Sequence, residues 1–513
     1  MTTASNTHPH PLSTAAKQNT APASIGTRAA RGMAWMTGAT LLLRMLSLVA
    51  QLVLARVLLK DEFGVYGLAL TVWGFVQLLG NPGLDDVLVS RSKNIHLWIS
   101  PAFWMSISLG AIGNLVMLAA APIAAWAYDD PRVLPVMAAM APAAILAAPQ
   151  VVAGALVRAG MRFRLFALFM GLTNLVLIGG QVVCAYLGLG VLAFAIPIPL
   201  SAFLGSVMLW VVARPRVRRT AHMHQWRFLF GDSIALLIVR LLYTLQAHGD
   251  RMILGLMSVT GAVGAYFFAF QLSMQATRLF AANLSAVLFP SLSTLRDQPE
   301  RQALGALNAS RLLAFVGMPT AFLQAALAEP VLRLFFDHKW DEAILPAQLL
   351  SVAMGFDCIA WPGGALMQAQ RRFVALARVF AASVAVFLIA VFAGAFIAGS
   401  DRAAIGVAAA AAIYYTLVPA IILTYALTSS GIAASRVLAI YPVPLLCSAL
   451  AIGMGWYVAD RVPQIDVPYR DLARIGATCT VSLIAYAVLT GLLARHLWHD
   501  LYTRARLVLA SRS

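Results

Sequence analysis

GALVRAGMRF, at Gly154 to Phe163, returns as GALMQAQRRF at Gly364 to Phe373, with six of the ten positions identical. Self-similarity inside one chain marks an internal repeat, and a repeat decides the architecture before any single element does. Two further echoes keep the same order. Gly64-Val65-Tyr66 pairs with Gly264-Ala265-Tyr266, and LLLRML at Leu41 to Leu46 pairs with LIVRLL at Leu237 to Leu242. Six apolar stretches separate the members of each pair. An even number preserves orientation, so the copies are expected to be parallel, related by an axis along the membrane normal. In that alignment Arg44 and Arg240 become symmetry mates.

The chain around the repeat is 61% hydrophobic and 11% charged over 513 residues, and apolar runs keep returning from Ala34 to Leu493. Runs of roughly 20 residues are long enough to span a bilayer as helices. Fourteen spans are predicted, centred near Ser47, Thr71, Ile112, Ile145, Leu175, Ala202, Val239, Phe270, Met318, Gly355, Val386, Ala412, Ser448 and Leu483. The expected class is therefore all-α: a polytopic membrane protein of about 14 transmembrane helices, with two parallel-repeat six-helix bundles and two C-terminal helices. Residues 1–33, rich in Thr, Ser, Ala and Pro, read as a disordered cytoplasmic leader without the apolar core of a signal peptide. The N-terminal bundle is expected over 34–213, a basic cytoplasmic linker over 214–226 and the C-terminal bundle over 227–428. The two further helices fall in 436–495 and a basic cytoplasmic tail in 496–513.

In a soluble protein, 37 Lys and Arg against 20 Asp and Glu would suggest a nucleic-acid surface. Here the basic residues divide by side of the membrane, about three to one, in the positive-inside sense. That places both termini in the cytoplasm of a bacterial-type inner membrane and removes nucleic acid as a partner, leaving contact with anionic headgroups for the tail. Cys184, Cys358, Cys447 and Cys479 lie singly in apolar spans, so neither a disulfide framework nor a zinc site is supported. No phosphate-cradling loop, nucleophile elbow or metal-binding helix is present.

Chemistry is concentrated on a few stripes. Thr37, Thr40, Arg44, Ser47 and Gln51 follow one another at intervals of 3, 4, 3 and 4, which places them on one helix face. Gln271, Gln275, Arg278 and Ser285 repeat the pattern, Ser233, Arg240 and Thr244 supply a third stripe, and Tyr66, Trp73 and Gln77 a fourth. Ser and Thr in such stripes commonly serve helix–helix contact. An Arg in hydrocarbon costs roughly 2.5–3.5 kcal/mol on insertion scales, so Arg44, Arg240 and Arg278 imply an aqueous or anion-filled interior. The expected site is a cationic chamber between the bundles. Those three arginines would take an anion, with Gln51, Trp73, Gln77, Thr244, Gln271 and Gln275 as its lining. Asp357 is the deep carboxylate, either counter-ion to one Arg or a proton carrier. Asp85 and Asp86, after Asn81-Pro82-Gly83, read as a capped turn, and His222 and His224 as solvated loop residues.

LARVLLKDEFGVYGLAL (Leu54 to Leu70), GDRMILG (Gly249 to Gly255) and VLFPSLSTLRD (Val287 to Asp297), together with the repeat, resemble the polysaccharide-transporter flippases of the Wzx type. These sit within the multidrug/oligosaccharidyl-lipid/polysaccharide superfamily, close to the colanic-acid and exopolysaccharide exporters. The resemblance extends over about residues 32–495. It implies export of undecaprenyl-pyrophosphate-linked oligosaccharide repeat units for surface polysaccharide by alternating access through a cationic cavity, with the last two helices as a groove for the lipid tail. A pathway polymerase and glycosyltransferases are the implied partners. No cofactor is implied, while proton or cation exchange, or the membrane potential, could give the cycle direction. The rivals are a lipid II flippase, a drug/cation antiporter, which would present cavity carboxylates instead of arginines, and a membrane polymerase or ligase, which would need a sizeable outer loop.

Overall fold

The computed structural model describes residues 38, 42–91, 94–160, 162–218, 220, 223–295, 298–461 and 467–493. The leader, the tail, Thr37 and Thr40 lie outside the described residues. In chain order the helices are α1 (42–57), α2 (Lys60–Gly80), α3 (Leu84–Ser90), α4 (Ile95–Ala127), α5 (Val133–Met140), α6 (Ala143–Leu146) and α7 (Ala148–Ala159). Then follow α8 (Phe163–Tyr186), α9 (Leu192–Ala195), α10 (Pro197–Ala213), α11 (Trp226–Met257), α12 (Thr260–Thr294) and α13 (Pro299–Phe336). The chain ends with α14 (Asp341–Ala369), α15 (Phe373–Ala398), α16 (Ala403–Thr428), α17 (Ala434–Leu438), α18 (Pro442–Asp460) and α19 (Val467–Leu493). All fourteen predicted centres fall inside helices, and the described residues contain no strand.

Ten of these helices are long and apolar enough to cross a membrane, and the bent α5–α6/α7 pair makes an eleventh. The predicted spans outside that count are α1, α11 and α12, the three that carry Arg44, Arg240 and Arg278.

The repeat is visible in the backbone. Arg162 and Arg372, each preceding a helix, have φ/ψ of −84°/49° and −84°/47°. The Arg162 N–H donates to Val157 O at 3.1 Å and the Arg372 N–H to Met367 O at 2.9 Å, at matching positions of the two copies. The lobes meet at the glycines of the second echo. A Cβ on Gly64 would lie 1.9 Å from Thr260 O, and a Cβ on Gly264 would lie 2.0 Å from Lys60 O. Such reciprocity is the signature of a two-fold axis, here running between α2 and α12. Only glycine permits that approach.

The third echo is corrected by this register. α2 and α12 begin at Lys60 and Thr260, behind matching extended residues Leu59 and Val259, so the hairpins align at an offset of 200. Arg44 then corresponds to Thr244, and Arg240 lies one turn nearer the Arg-rich face, here called inner. The two arginines share a stripe but not a depth.

Proline breaks shape the N-terminal lobe. The helix through Ile145 is bent by 44° between Val133–Leu146 and Ala148–Ala159, with Pro142 and Pro149 at the joints. Pro197 similarly opens α10 after the short α9. Broken helices free carbonyls that lipid cannot satisfy, so protein must. Ser206 Oγ donates to Leu146 O at 2.5 Å, Ser106 Oγ to Ala148 O at 3.1 Å, and Gln181 Nε2 to Phe194 O at 3.3 Å. Pro319 and Pro362, by contrast, sit inside uninterrupted α13 and α14.

At the outer face the lobes are clasped. Phe63 meets Phe194, Phe268 and Trp340 edge-on, with centroids 5.0, 5.8 and 5.1 Å away. Lys60 pairs with Glu342 at 2.8 Å, and Thr260 Oγ1 donates to Asp130 Oδ2 at 2.9 Å. Lys339 Nζ donates to the carbonyls of Ala55, Arg56 and Leu58, and Trp340 Nε1 donates to Ala55 O. These last bonds cap the end of α1 with groups from the opposite lobe.

Candidate functional site

Below the clasp the proline-bent helices stand away from α2 and leave a cavity of about 710 Å³ inside the N-terminal lobe. It extends along α2 from Tyr66 through Trp73 and Gln77 to Asn81 and Asp85, with Gln150 of α7 and Asn174 of α8 on the facing wall. No Arg or Lys is among its described lining residues. The lining is amide and aromatic, suited to hydroxyl-rich ligands: amides offer donor and acceptor together, and rings offer flat apolar faces.

Its inner mouth carries the charge. The Asn81-Pro82-Gly83 turn is held by Asn81 Oδ1, which accepts from the N–H groups of Gly83 and Leu84, and Gly83 takes φ = 102°. This turn aims Asp85 and Asp86 between two arginines of different lobes. Arg158 of α7 reaches Asp85 at 2.8 Å and Asp86 at 3.4 Å. Arg240 of α11 reaches Asp86 at 2.7 Å, Asp85 at 3.4 Å and Asn81 O at 2.9 Å. Two expectations are thereby corrected. Among the described residues the acids that face an arginine here come from the capped turn, and Asp357 is not one of them. Nor is Arg240 at mid-depth, because α11 is 32 residues, about 48 Å at 1.5 Å per residue, and its midpoint lies level with the inner end of α2.

Arg44 differs. Its Nη1 is buried and has no hydrogen-bond partner among the described residues. Arg278 belongs to α12, but its side chain lies outside the described ones. Asp357 accepts from Trp361 Nε1 at 3.1 Å, and no Lys or Arg is within ion-pair distance of it among the described residues. Trp73 and Gln77 line the cavity. Gln51, Thr244, Gln271 and Gln275 do not appear in its lining; Thr244 instead packs where a Cβ on Gly74 would fall, and Gln275 donates to Gln271 O. Asp250 and Arg251, which the sequence leaves open as interfacial anchors or gate residues, are buried within the C-terminal lobe, where Tyr266 OH donates to Asp250 at 2.8 Å.

Sequence reading missed Gln150, Asn174 and Arg158 as site groups. Arg158 had a signal, since it is a charge at a non-identical position of the repeat, opposite Gln368. Gln150, and Asn174 beside Thr173, lie in otherwise apolar runs with no stripe of polar residues at helical spacing, and only the bent helix brings them together.

A family model described as "Polysaccharide biosynthesis protein" matches residues 53–345. The chain is 21% identical over 358 residues to the lipopolysaccharide biosynthesis protein WzxC of Escherichia coli (strain K12), covering 66% of this chain and 70% of that one. It is 25% identical over 313 residues to the succinoglycan biosynthesis transport protein ExoT of Rhizobium meliloti (strain 1021), covering 59% and 61%. In fold it is similar to the lipid II flippase MurJ in an inward closed conformation, with a TM-score of 0.72, 13% identity, and coverage of 90% of this chain and 99% of that one.

Proposed function

This chain belongs to the polysaccharide biosynthesis protein family, and from that membership we propose that it is a flippase moving undecaprenyl-pyrophosphate-linked oligosaccharide repeat units across a bacterial inner membrane. The observation that carries the reading is the pairing of an amide- and aromatic-lined cavity, free of Lys and Arg among its described lining residues, with a guanidinium that pairs with Asp85 at its inner mouth. A lipid-linked oligosaccharide has the same division: hydroxyl-rich sugars joined to a diphosphate. The sugars would sit against Trp73, Gln77, Gln150 and Asn174, and the polyprenyl tail would stay in lipid.

The diphosphate is assigned to Arg240, Arg44 and Arg278. Guanidinium forms bidentate bonds with phosphate oxygens, so it suits that role. Asp85 and Asp86 act as resident anions that hold Arg240 until the diphosphate replaces them, after which Arg158 stays paired with both acids and offsets one of their two charges. Release of Arg240 would free the inner contact between lobes and let them rock about the α2–α12 axis, opening the outer clasp. Asp357, with no Lys or Arg within ion-pair distance among the described residues, is the proposed proton carrier, and both termini are assigned to the cytoplasm.

Two rivals are weaker on the site chemistry. A drug/cation antiporter needs a cavity carboxylate free to take a cation, whereas Asp85 is held by two guanidiniums. A polymerase or ligase needs reactive residues at the outer face, which is occupied by the clasp. The test is export of repeat units in a strain lacking the native gene, complemented by Arg44→Ala, Arg240→Ala or Arg278→Ala. Each is expected to lose at least tenfold; export at the wild-type rate in all three rejects the assignment. A drug-resistance phenotype without any export defect would favour the antiporter.

A further inference from the structure

The two lobes are joined by an Arg-rich segment that the transport reading does not use. After α10 the chain turns at Arg214, which has φ = 43°, and runs extended through Pro215, Arg216, Val217 and Arg218. Its course is fixed. The Arg218 N–H donates to Ser100 Oγ at 2.8 Å, and Trp104 Nε1 donates to Arg218 O at 3.0 Å, so the strap lies across the first turns of α4. Between strap and helix is a crevice of about 690 Å³, lined by Arg214, Arg216 and Arg218 on one side and by His96, Trp98 and Ser100 on the other.

Three features define what fits there. The crevice is cationic, with three guanidiniums and no carboxylate among its described lining residues. It lies at the inner end of membrane-spanning helices, at headgroup depth. An apolar wall continues into the membrane beside it: Val211 and Val207, one and two turns before Arg214 on α10, are 59% and 42% exposed, and Leu97 at the crevice is 60% exposed. A soluble phosphate would use the arginines and leave that wall without a partner. A phospholipid uses both.

We propose that the strap crevice binds the phosphate headgroup of an anionic phospholipid of the inner leaflet, with its acyl chains along Leu97, Val207 and Val211. Arginines at a membrane surface attract such lipids, and a crevice with fixed walls adds selectivity to the attraction. Because the strap is the covalent link between lobes, an occupied crevice pins its first residues to the N-terminal lobe. The site stands independently of the identity of the transported molecule.

The experiment is native mass spectrometry of the full chain in detergent, titrated with dioleoyl-phosphatidylglycerol, dioleoyl-phosphatidylcholine or inorganic phosphate. One phosphatidylglycerol adduct is expected to form at least tenfold more tightly than the first phosphatidylcholine adduct. The triple variant Arg214→Gln, Arg216→Gln, Arg218→Gln should lose that preference, and the corresponding triple Lys variant should keep most of it, which controls for folding. Gln substitution of exposed Arg436, outside the crevice, should change nothing. Equal binding of the two lipids, or an unchanged preference in the triple Gln variant, overturns the proposal. Displacement of the lipid by millimolar inorganic phosphate also overturns it, in favour of a soluble anion.

Discussion

An arginine near hydrocarbon depth stays stable only while something negative or watery faces it, and Arg240 and Arg44 meet that demand differently. Arg240 has Asp85 and Asp86, whereas Arg44 Nη1 has no partner among the described residues. If the acids compete with substrate for Arg240, Asp86→Asn should tighten binding of a short-chain prenyl diphosphate. Half-exposed pairs are worth up to about 1 kcal/mol, so a gain of about fivefold is expected by calorimetry, and weaker binding would count against the competition. Arg240 was legible in the sequence because an Arg inside an apolar run is conspicuous. Its acids were not, since they lie more than 150 positions away, behind a turn whose Asn-Pro-Gly reads equally well as a helix stop. Gly64 and Gly264 present the complementary case, where the space itself is the function. Overpacking costs roughly 1–3 kcal/mol. Gly64→Ala should therefore push the lobes apart at the outer end and raise the reactivity of a cysteine placed at Lys60, without unfolding either lobe.

Periodicity and length made the helices readable: every predicted centre is helical, and the repeat strings mark equivalent turns. Depth was not readable, because a helix longer than the bilayer has a midpoint unrelated to the membrane midplane. That is why Arg240 lies at the cavity's mouth. The cavity was half legible: prolines announced bends, but only packing decides that α7 and α8 turn Gln150 and Asn174 toward Trp73. The repeat also exposes a local conflict. Arg371, in the turn between α14 and α15, has φ = 57°, a left-handed conformation that costs an L side chain about 1 kcal/mol. Arg371→Gly should raise the thermal unfolding temperature in detergent by the equivalent of about 1 kcal/mol, with export unaltered. A lower unfolding temperature would show that its side chain contributes more than the strain costs.

For the whole molecule, the outer clasp and the inner Arg240 contact are two fastenings across one axis, and alternating access requires that they open in turn. The outer one is expected to respond to acid. Burial pushes the Asp130 carboxyl upward, but hydrogen bonds from Arg132 and Thr260 outweigh it and hold the group below the usual carboxylate value. A depressed carboxylate stabilises its assembly at pH above its ordinary value and loses that contribution as pH falls through the depressed one. The clasp should thus be complete at neutral pH and loosen in strong acid. Asp130→Asn should abolish that response in a distance measurement between labels on the two lobes.

The four donations to the tip of α1 bear on how the outer end opens. Lys339 and Trp340 satisfy carbonyls that α1 cannot satisfy itself, and they belong to the lobe that must move away. Parting them strands those oxygens unless solvent arrives at the same moment, since an orphaned backbone carbonyl in an apolar setting is costly. On the proposed transport cycle the outer opening would therefore be a wetting transition as much as a hinge: its barrier would contain the work of hydrating one helix end, and drying it again would close the clasp.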